Sequence, residues 1–364
     1  MTTGFFWDER CFWHSGGNYS FMLQAGGLVQ PGGGLPENPE TKRRFKNLLD
    51  VTGLLNELDV QSAAPVTRDD LLRVHPESFI DVFQKTANEG GGELGLRAPF
   101  GPDGFDIACV SAGLAKSALT SVLTGRLDNA YALSRPPGHH CTRDWQNGFC
   151  LLANIAIAVE ATLADKQAER IAVLDWDVHH GNGTEAIFYD RADVLTVSIH
   201  QDRNYPLDTG AFSVRGDGAG EGANLNIPLP PGTGHQGYLA ALERLALPQI
   251  KAFNPDAIVV ACGFDAAAFD PLGRMLATAE TFRQMTRSTK ELAADVCDGK
   301  LVMVHEGGYS ESYVPFCGHG VMAELAHSQI EAPDPFADAL ARRQPDARFD
   351  AWLDLILAEM EDAL

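Results

Sequence analysis

Five short apolar runs recur along this chain, and within each run the apolar residues are continuous rather than alternating with polar ones. The runs cover residues 131–133, 171–174, 194–199, 257–262 and 301–304. A strand that is covered on both faces of a parallel sheet has no solvent side, so continuous apolar runs are typical of it. The segments between them, 106–123, 151–163, 238–253 and 279–296, have helical spacing. This alternation predicts an α/β fold, a three-layer sandwich with a central, mostly parallel sheet.

One domain fits this pattern better than several. At roughly 150 residues per domain, 364 residues allow one large domain or two to three small ones. Two loops rich in Gly and Pro, at 26–42 and 88–104, are followed by more strands and helices of unchanged composition, so we interpret them as functional loops rather than linkers. We predict a single domain over residues 1–364. Within it, residues 1–42 form an N-terminal segment with a Gly-rich loop beside the functional site, and residues 332–364 are peripheral, with a last helix from 350 to 364.

Composition and charge restrict the partners of the chain. Hydrophobic residues make up 45% and charged residues 21%, which excludes disorder as the main state. Lys and Arg number 28 and Asp and Glu number 49, so the net charge is −21. A field of this sign repels phosphate backbones and anionic lipids. We therefore expect neither nucleic acid nor a membrane as a partner, and the same field favours neutral or cationic ligands.

The sequence shows neither a targeting or membrane-spanning segment nor a cysteine pattern typical of disulfides or zinc sites. The first nine residues lack the basic segment of a secretory signal, and no uncharged apolar run approaches the roughly 20 residues that cross a bilayer. The expected location is cytoplasmic. The seven cysteines include no Cys-x-x-Cys pair, which disfavours a disulfide framework and a thiolate zinc site. We expect the thiols to be reduced and mostly buried.

Polar clusters follow four of the five runs. They lie at 135–140 (RPPGHH), 175–181 (DWDVHHG), 263–265 (GFD) and 306–309 (EGGY). Each cluster alone has a plain structural explanation, because Gly with one polar residue after a strand is mainly turn chemistry, and an acidic residue there often caps a helix. Ligands of open parallel sheets, however, bind beyond the carboxyl ends of the strands. Four such clusters therefore predict one shared site.

The residue types in these clusters are those of a metal site. Asp175, Asp177 and His179 are spaced two residues apart, so an extended segment presents them on one face. Asp265, at another strand end, would complete an Asp/His/Asp set around a divalent ion. Three protein ligands leave a coordination position for water and substrate, which is the catalytic rather than the structural arrangement. Two oxygen ligands and one nitrogen suit Zn²⁺, and also Fe²⁺ or Co²⁺.

The four clusters resemble, in order and spacing, those of the zinc-dependent histone deacetylases, and most closely the class II branch with the bacterial histone deacetylase-like amidohydrolases and acetylpolyamine amidohydrolases. The resemblance extends from about residue 43 to about residue 325, and its long strings are specific. It implies the arginase/deacetylase-like form of the fold. It also implies removal of acetyl groups from N-acetylated amines, with one zinc ion per chain.

The resemblance assigns roles to residues by position. Zinc would be held by Asp177, His179 and Asp265. The active-site histidines would be His139, with Asp175 as its partner, and His140, with Asn182 as its partner, and the Tyr309 hydroxyl would face the substrate carbonyl. An ionised carboxylate favours imidazolium, whereas a neutral amide does not. We therefore hypothesise that His140 is the general base and that His139 acts through its charge.

Further positions follow from the same resemblance. A potassium site would use Asp175, Asp177 and His179 with Ser198 and the Ile199 or His200 region, and a second would use Phe188, Arg191 and Val194. The acyl-lysine tunnel would be lined by Gly148, Phe149, Tyr205 and Leu272, although a lone Phe149 is more often plain core. Gly148 would permit close approach to a ligand, because it has no side chain.

The substrate class stays open at this point. Acetyl-lysine in a peptide, an acetylpolyamine and other small acylated amines are all compatible with the sequence. The loop at 26–42 would border the tunnel or contribute to a homo-oligomer interface. Two alternatives remain, a binuclear ureohydrolase of the arginase type and a non-catalytic acyl-lysine binder. The first is disfavoured because Asp265 is followed by three alanines and a phenylalanine before Asp270, so a second metal lacks ligands, and the second because Tyr309 and the ligand triad are complete.

Overall fold

Twelve strands form in the part of the chain that this computed structural model describes, residues 2–30 and 32–364. In chain order they are β1 (Thr3–Phe6), β2 (Tyr19–Ser20), β3 (Leu23–Gln24), β4 (Asp59–Gln61), β5 (Gly92–Glu93), β6 (Pro99–Phe100), β7 (Asn129–Ala132), β8 (Ile171–Asp175), β9 (Val194–Gln201), β10 (Asn224–Leu229), β11 (Ala257–Cys262) and β12 (Leu301–His305). All five predicted strands are present. Eight of the twelve strands join in one sheet, and the other four form two small antiparallel pairs.

The main sheet has the order β10-β9-β8-β11-β12-β7-β1-β4. Each neighbouring pair is parallel, so the prediction of a mostly parallel sheet is confirmed. Every residue of β8, β9, β11 and β12 is buried, which requires helices on both faces. The α/β class and the three-layer arrangement follow from this burial.

The helices within the described residues are α1 (Pro39–Thr52), α2 (Arg68–Leu72), α3 (Glu77–Asn88), α4 (Gly104–Leu123), α5 (Asn154–Ala164), α6 (Asn182–Phe188), α7 (His235–Ala241), α8 (Leu247–Phe253), α9 (Ala279–Val296), α10 (Val314–Ala326), α11 (Ala337–Ala341) and α12 (Ala347–Asp362). On one side α4 packs against α5, and α1 and α9 pack against α10 in a second group. The bounds of α9 agree with the prediction because its ends are well marked. The Thr278 side chain caps its first turn by accepting a hydrogen bond from the Thr281 N–H.

Some local predictions need correction. Strands β1, β4 and β10 were not predicted, because two are short and β10 carries polar residues that break its apolar run. The segment 238–253 is not one regular helix, since a π turn at Leu242–Ala246 separates α7 from α8. The loop at 26–42 ends earlier than predicted, at Pro39, where α1 begins behind an Asn38 cap. The last helix begins at Ala347, and its buried residues Leu353 and Leu357 anchor it to the core.

Two further features of the structure, the apolar helix α4 and the state of the cysteines, bear on the sequence predictions. Helix α4 has the length and apolar composition of a membrane span, but 72% of it is buried inside the fold, as in the core helix of a globular domain. All seven cysteines are unpaired and buried. The expectation of mostly buried thiols therefore agrees with the structure, and their reduced state stays a prediction.

Candidate active site

The four polar clusters follow four strands that are neighbours in the sheet, β8, β11, β12 and β7. The strand register places Asp175 of β8 beside Ala261 of β11, and Cys262 of β11 beside His305 of β12. Because all these strands run in the same direction, their carboxyl ends meet at one edge. The clusters at 135–140, 175–181, 263–265 and 306–309 therefore begin side by side.

Asp177, His179 and Asp265 come together as the sequence predicts. Their ligand atoms all lie within 4.8 Å of one another, and all three side chains are buried. His179 Nδ1 is 3.0 Å from Asp177 Oδ1 and 3.0 Å from Asp265 Oδ2. Ligand atoms around a tetrahedral ion with bonds of about 2 Å are about 3.3 Å apart, so this spacing is close to that of a zinc site.

Hydrogen bonds fix the two carboxylates and leave one oxygen without a donor. Asp177 Oδ2 accepts from the Gly307 N–H at 2.7 Å, and Asp265 Oδ1 accepts from the Val178 N–H at 2.7 Å. Asp265 Oδ2 is buried and accepts no hydrogen bond of good geometry. Burial and the charge of Asp177 raise the pKa of Asp265 to about 6. Two crowded carboxylates with an unsatisfied oxygen fit a divalent cation, because it supplies the missing positive charge.

A second group of candidate ligands lies behind the first. His139, Cys150 and Glu306 also have ligand atoms within 4.8 Å of one another. Burial raises the pKa of Cys150 well above its ordinary value, and metals bind the thiolate rather than the thiol. Glu306 Oε2 already accepts hydrogen bonds from the backbone N–H groups of Gly138 and His139, at 2.7 and 3.1 Å. Glu306 is therefore better explained as an anchor for the turn that carries His139, a role that its sequence position did not reveal.

The two neighbouring histidines have the partners that the resemblance implies. His139 Nδ1 is 2.9 Å from Asp175 Oδ2, and His140 Nδ1 is 2.8 Å from Asn182 Oδ1. The amide oxygen can only accept, so His140 carries its proton on Nδ1 and leaves Nε2 as an acceptor. The two imidazole rings lie with their centroids 3.9 Å apart.

The surroundings separate the two histidines electrostatically. Burial works to lower the pKa of His139, but the charges of Asp177 and Asp175 outweigh it and raise that pKa to about 10. Burial and then the charge of His139 lower the pKa of His140 well below its ordinary value. The surroundings therefore favour the imidazolium form of His139 and the neutral form of His140.

Tyr309 lies against the same group of residues. Its ring packs edge-on against Phe149 with centroids 5.6 Å apart, and Lys42 Nζ is 5.7 Å from its ring centroid. Burial, together with the charges of Asp265 and Asp177, raises the pKa of the phenol well above its ordinary value. The hydroxyl therefore stays protonated and is available as a hydrogen-bond donor.

Asp270 positions Tyr309, and sequence reasoning gave it no such role. Its Oδ2 accepts from the Tyr309 N–H at 2.7 Å, and its Oδ1 accepts from the Leu272 N–H at 2.8 Å. The Asp-Pro pair at 270–271 signals a turn, but not which distant amide the carboxylate binds. Asp270 belongs to neither of the two groups of candidate metal ligands found in the described residues, so the structure offers no second metal ligand set around it. The binuclear ureohydrolase alternative is disfavoured by this geometry as well as by sequence.

A cavity of about 160 Å³ connects these residues. The four predicted tunnel residues line it: Gly148, Phe149, Tyr205 and Leu272. His140, His179 and Tyr309 also line it. Three lining residues were not predicted: Met22, Arg97 and Asn204. Met22 places the loop that follows β2 at the cavity. Spacing along the chain does not predict that this loop and the loop at 88–104 contribute side chains to the cavity.

Gly148 is required for packing rather than for flexibility alone. Its backbone has φ of 52°, and a Cβ atom there would collide with the imidazole of His140. Any side chain at 148 would therefore displace that ring. The predicted close approach is real in the structure, but the group that approaches Gly148 is a histidine of the site.

A larger cavity, of about 450 Å³, lies elsewhere, between α9, α10 and residues 330–344. Neither of the two groups of candidate metal ligands found in the described residues lines it. The larger volume therefore does not mark the cavity that contains His140, His179 and Tyr309, which is the smaller one.

Comparison with known proteins agrees with this geometry. The profile of the histone deacetylase domain matches residues 35–325, which is most of the chain and starts before the predicted limit near residue 43. The chain belongs to the histone deacetylase family. Membership supports a deacetylase or amidohydrolase function and makes the chain a hydrolase.

Relatives within this family cover nearly the full length. A histone deacetylase-like amidohydrolase of Pseudomonas aeruginosa is 52% identical over 349 residues, which are 95% of this chain and 92% of that protein. A probable deacetylase of Archaeoglobus fulgidus is 38% identical over 323 residues, with 86% and 89% covered. The crystal structure of the HDA15 HD domain superposes with a TM-score of 0.82 at 30% identity and covers 100% of this chain and 98% of that one. The predicted arginase/deacetylase-like fold is confirmed.

The first potassium position implied by the deacetylase family would lie at the ends of β8 and β9. Ser198 is opposite Asp175 in the strand register, and the side chain of Ile199 is in the core. The side chains of Asp177 and His179 belong to the ligand cluster, so only their carbonyl oxygens would face this ion. The structure brings these residues to one strand end, and the potassium site itself stays a prediction.

The second potassium position would lie between α6 and β9. Phe188 is the last residue of α6 and Val194 is the first of β9. The Arg191 N–H donates to the Phe188 carbonyl at 3.0 Å, and the Arg191 guanidinium pairs with Glu160 and Asp193. The three residues share one short connection, and this site also stays a prediction.

A buried group of charges holds the start of the 135–140 motif in this deacetylase. Glu37 accepts from Arg135 Nε at 3.0 Å and Nη2 at 3.1 Å, and Lys42 Nζ is 3.1 Å from Glu37 Oε1. The Arg135 guanidinium also donates to the carbonyls of Cys11 and His14. The three charged side chains are at most 2% exposed. The segment before residue 43 is therefore tied to the start of the motif that carries the histidine pair.

Proposed function

We propose that the chain is a zinc-dependent amidohydrolase that cleaves the acyl amide of a long primary amine, such as acetyl-lysine or an acetylpolyamine, to a carboxylate and the free amine. The observation that carries this proposal is that His179 of the Asp/His/Asp cluster, a neutral His140 and a protonated Tyr309 line one cavity. A binding protein without activity would need none of these proton-transfer groups. Their combination favours hydrolysis.

The metal would be held by Asp177, His179 and Asp265, and when bound it would polarise the amide carbonyl and lower the pKa of water to about 7. His140 Nε2 accepts the proton of the attacking water. The Tyr309 O–H donates to the carbonyl oxygen as negative charge develops on it. The departing amine takes a proton from the imidazolium that forms, while Phe149 and Tyr205 orient the alkyl chain.

A screen of substrates tests this proposal. Acetate release is measured for an acetyl-lysine peptide, N-acetylputrescine and N-acetylspermidine, with the purified protein, after treatment with a chelator, and after return of Zn²⁺, Fe²⁺ or Co²⁺. We expect turnover of at least one substrate, loss of that turnover with the chelator, and best recovery with Zn²⁺. Full turnover in metal-free protein would contradict zinc dependence. Absence of acetate from every substrate would contradict the proposed reaction.

The assignment of His140 as the base predicts a change in pH dependence. Activity requires neutral His140, so kcat/KM should fall as the pH drops through its pKa, which burial and His139 hold below the ordinary value of 6.5. In the Asn182→Asp variant a carboxylate at Nδ1 favours imidazolium and raises that pKa. The acidic limb of the pH profile should therefore move to higher pH by about one unit.

The control for this prediction is Asp190→Asn, which replaces a carboxylate by an amide at an exposed position. This is the reverse of the exchange at residue 182. Its pH profile should coincide with that of the parent protein. An unchanged acidic limb in Asn182→Asp, or near-normal turnover in His140→Ala, would show that His140 is not the base.

A further inference from the structure

Among the described residues that line the cavity, Arg97 is the one whose side chain carries a permanent positive charge. Among the described residues no carboxylate lies within ion-pair distance of its guanidinium, although the chain as a whole has a net charge of −21. Most other arginines of the chain form ion pairs. An unpaired arginine inside a binding cavity is a candidate recognition group for a carboxylate, because its fork of N–H donors matches the two oxygens.

The backbone holds Arg97 in a defined place. The Arg97 carbonyl accepts from the Phe149 N–H at 2.9 Å, and the Leu96 carbonyl accepts from the Gly148 N–H at 3.0 Å. Arg97 also has φ of 56°, in the left-handed region that non-glycine residues rarely adopt. These bonds join the 88–104 loop to the tunnel wall, so the wall and the backbone from which the Arg97 side chain extends keep a fixed relation.

Tyr205 relates the guanidinium to the reacting groups. The Arg97 Cζ atom is 5.7 Å from the Tyr205 ring centroid, and the same ring lies 5.1 Å from the His140 ring and 6.0 Å from the His179 ring. The acyl carbonyl has to lie between the ligand cluster and Tyr309. The amine side of the substrate then passes Phe149 and Tyr205, and a substituent on it comes within reach of Arg97.

We propose that Arg97 selects acylated amines with a carboxylate on the amine side of the scissile amide, such as Nε-acetyl-lysine with a free α-carboxylate, over acylated polyamines. The proposal rests on the proposed function and names its substrate class. The guanidinium attracts a carboxylate and repels the ammonium groups that remain on an acylated polyamine. The long-range field of the acidic chain acts in the opposite sense, but salt screens it beyond about 8 Å, whereas Arg97 acts at contact.

Two ligands that differ only in charge, and one acylated polyamine, test this selectivity. The kcat/KM for acetate release is measured for Nα-protected Nε-acetyl-lysine as the free acid and as the carboxamide, and for N-acetylputrescine. The parent protein should prefer the acid to N-acetylputrescine, and that preference should narrow in Arg97→Gln. For a half-exposed charge pair we expect the acid to exceed the amide by roughly fivefold. In Arg97→Gln the ratio should fall to about one. In Arg97→Lys, which keeps the charge but loses the fork of donors, only part of it should remain. Added salt should reduce the ratio in the parent protein.

Arg342→Gln is the matched control, because it removes the same charge from an exposed residue outside the cavity lining. The acid-to-amide ratio of kcat/KM in this variant should equal that of the parent protein. An acid-to-amide ratio that is the same in the parent and in Arg97→Gln would overturn the proposal. Calorimetric binding of the same two ligands gives the ratio without turnover. Preferential binding of the acid, lost in Arg97→Gln, would support the role of Arg97 even if no acetate were released, and that result would contradict the proposed function alone.

Discussion

Replacement of Asp265 by Asn should remove most of the bound metal and lower kcat/KM by at least about a thousandfold, as expected when several kcal/mol of charge stabilisation is lost. The substitution is nearly isosteric. The amide oxygen can still accept from the Val178 N–H, which keeps the loop in place. The new NH₂ group, however, takes the position of the buried oxygen beside His179, where a donor repels a cation.

The measurement is metal content per chain, together with kcat/KM for the best acylated substrate. Asp298→Asn is the control, because the same chemical change occurs on a side chain that is 93% exposed, and it should alter neither quantity. A circular dichroism spectrum and melting temperature close to those of the parent protein would show that Asp265→Asn is folded. A folded variant with normal metal content and normal activity would exclude Asp265 as a ligand.

The Tyr309→Phe variant should lose on the order of a hundred- to a thousandfold in kcat, the range found when one donor to an oxyanion is removed. Only the hydroxyl is lost. The ring contact with Phe149 and the Tyr309 N–H bond to Asp270 both remain, so the cavity should keep its shape. KM and metal content should therefore change little.

Tyr189→Phe provides the comparison, since it deletes a hydroxyl from a half-buried tyrosine at the end of α6, outside the cavity. Its kcat should match that of the parent. If Tyr309→Phe reduced metal content as well as kcat, or if it raised KM with kcat unchanged, the hydroxyl would not be acting on the developing charge.

The ligand set and the histidine pair could be predicted because both are encoded locally. Asp175, Asp177 and His179 follow one buried strand at fixed spacing, and Asp265 follows its neighbour in the sheet. Continuous apolar runs locate the strand ends, and the parallel direction brings those ends together. The grouping of these residues could therefore be predicted from the strands and the residues directly after them, whereas the roles of His139 and His140 came from the resemblance to the family.

Other parts of the site depend on contacts that spacing does not encode. Asp270 acts through the backbone amides of a separate loop, and Arg97 reaches the cavity from a segment that has no strand or helix pattern of its own. Strands β1 and β4 are too short to give a periodic signal, although they complete one edge of the sheet. In each case the position is set by packing between distant segments.

The buried contact between Glu37 and Arg135 makes the amino-terminal region part of the catalytic support rather than an appendage. A shortened chain that began after Glu37 would leave Arg135 and Lys42 as two uncompensated cations in the interior, a change that commonly costs about 3–5 kcal/mol. Engineering that trims this end would therefore disturb the turn that carries both histidines. Extensions of the carboxyl end, where Leu364 is exposed beyond α12, avoid this hazard.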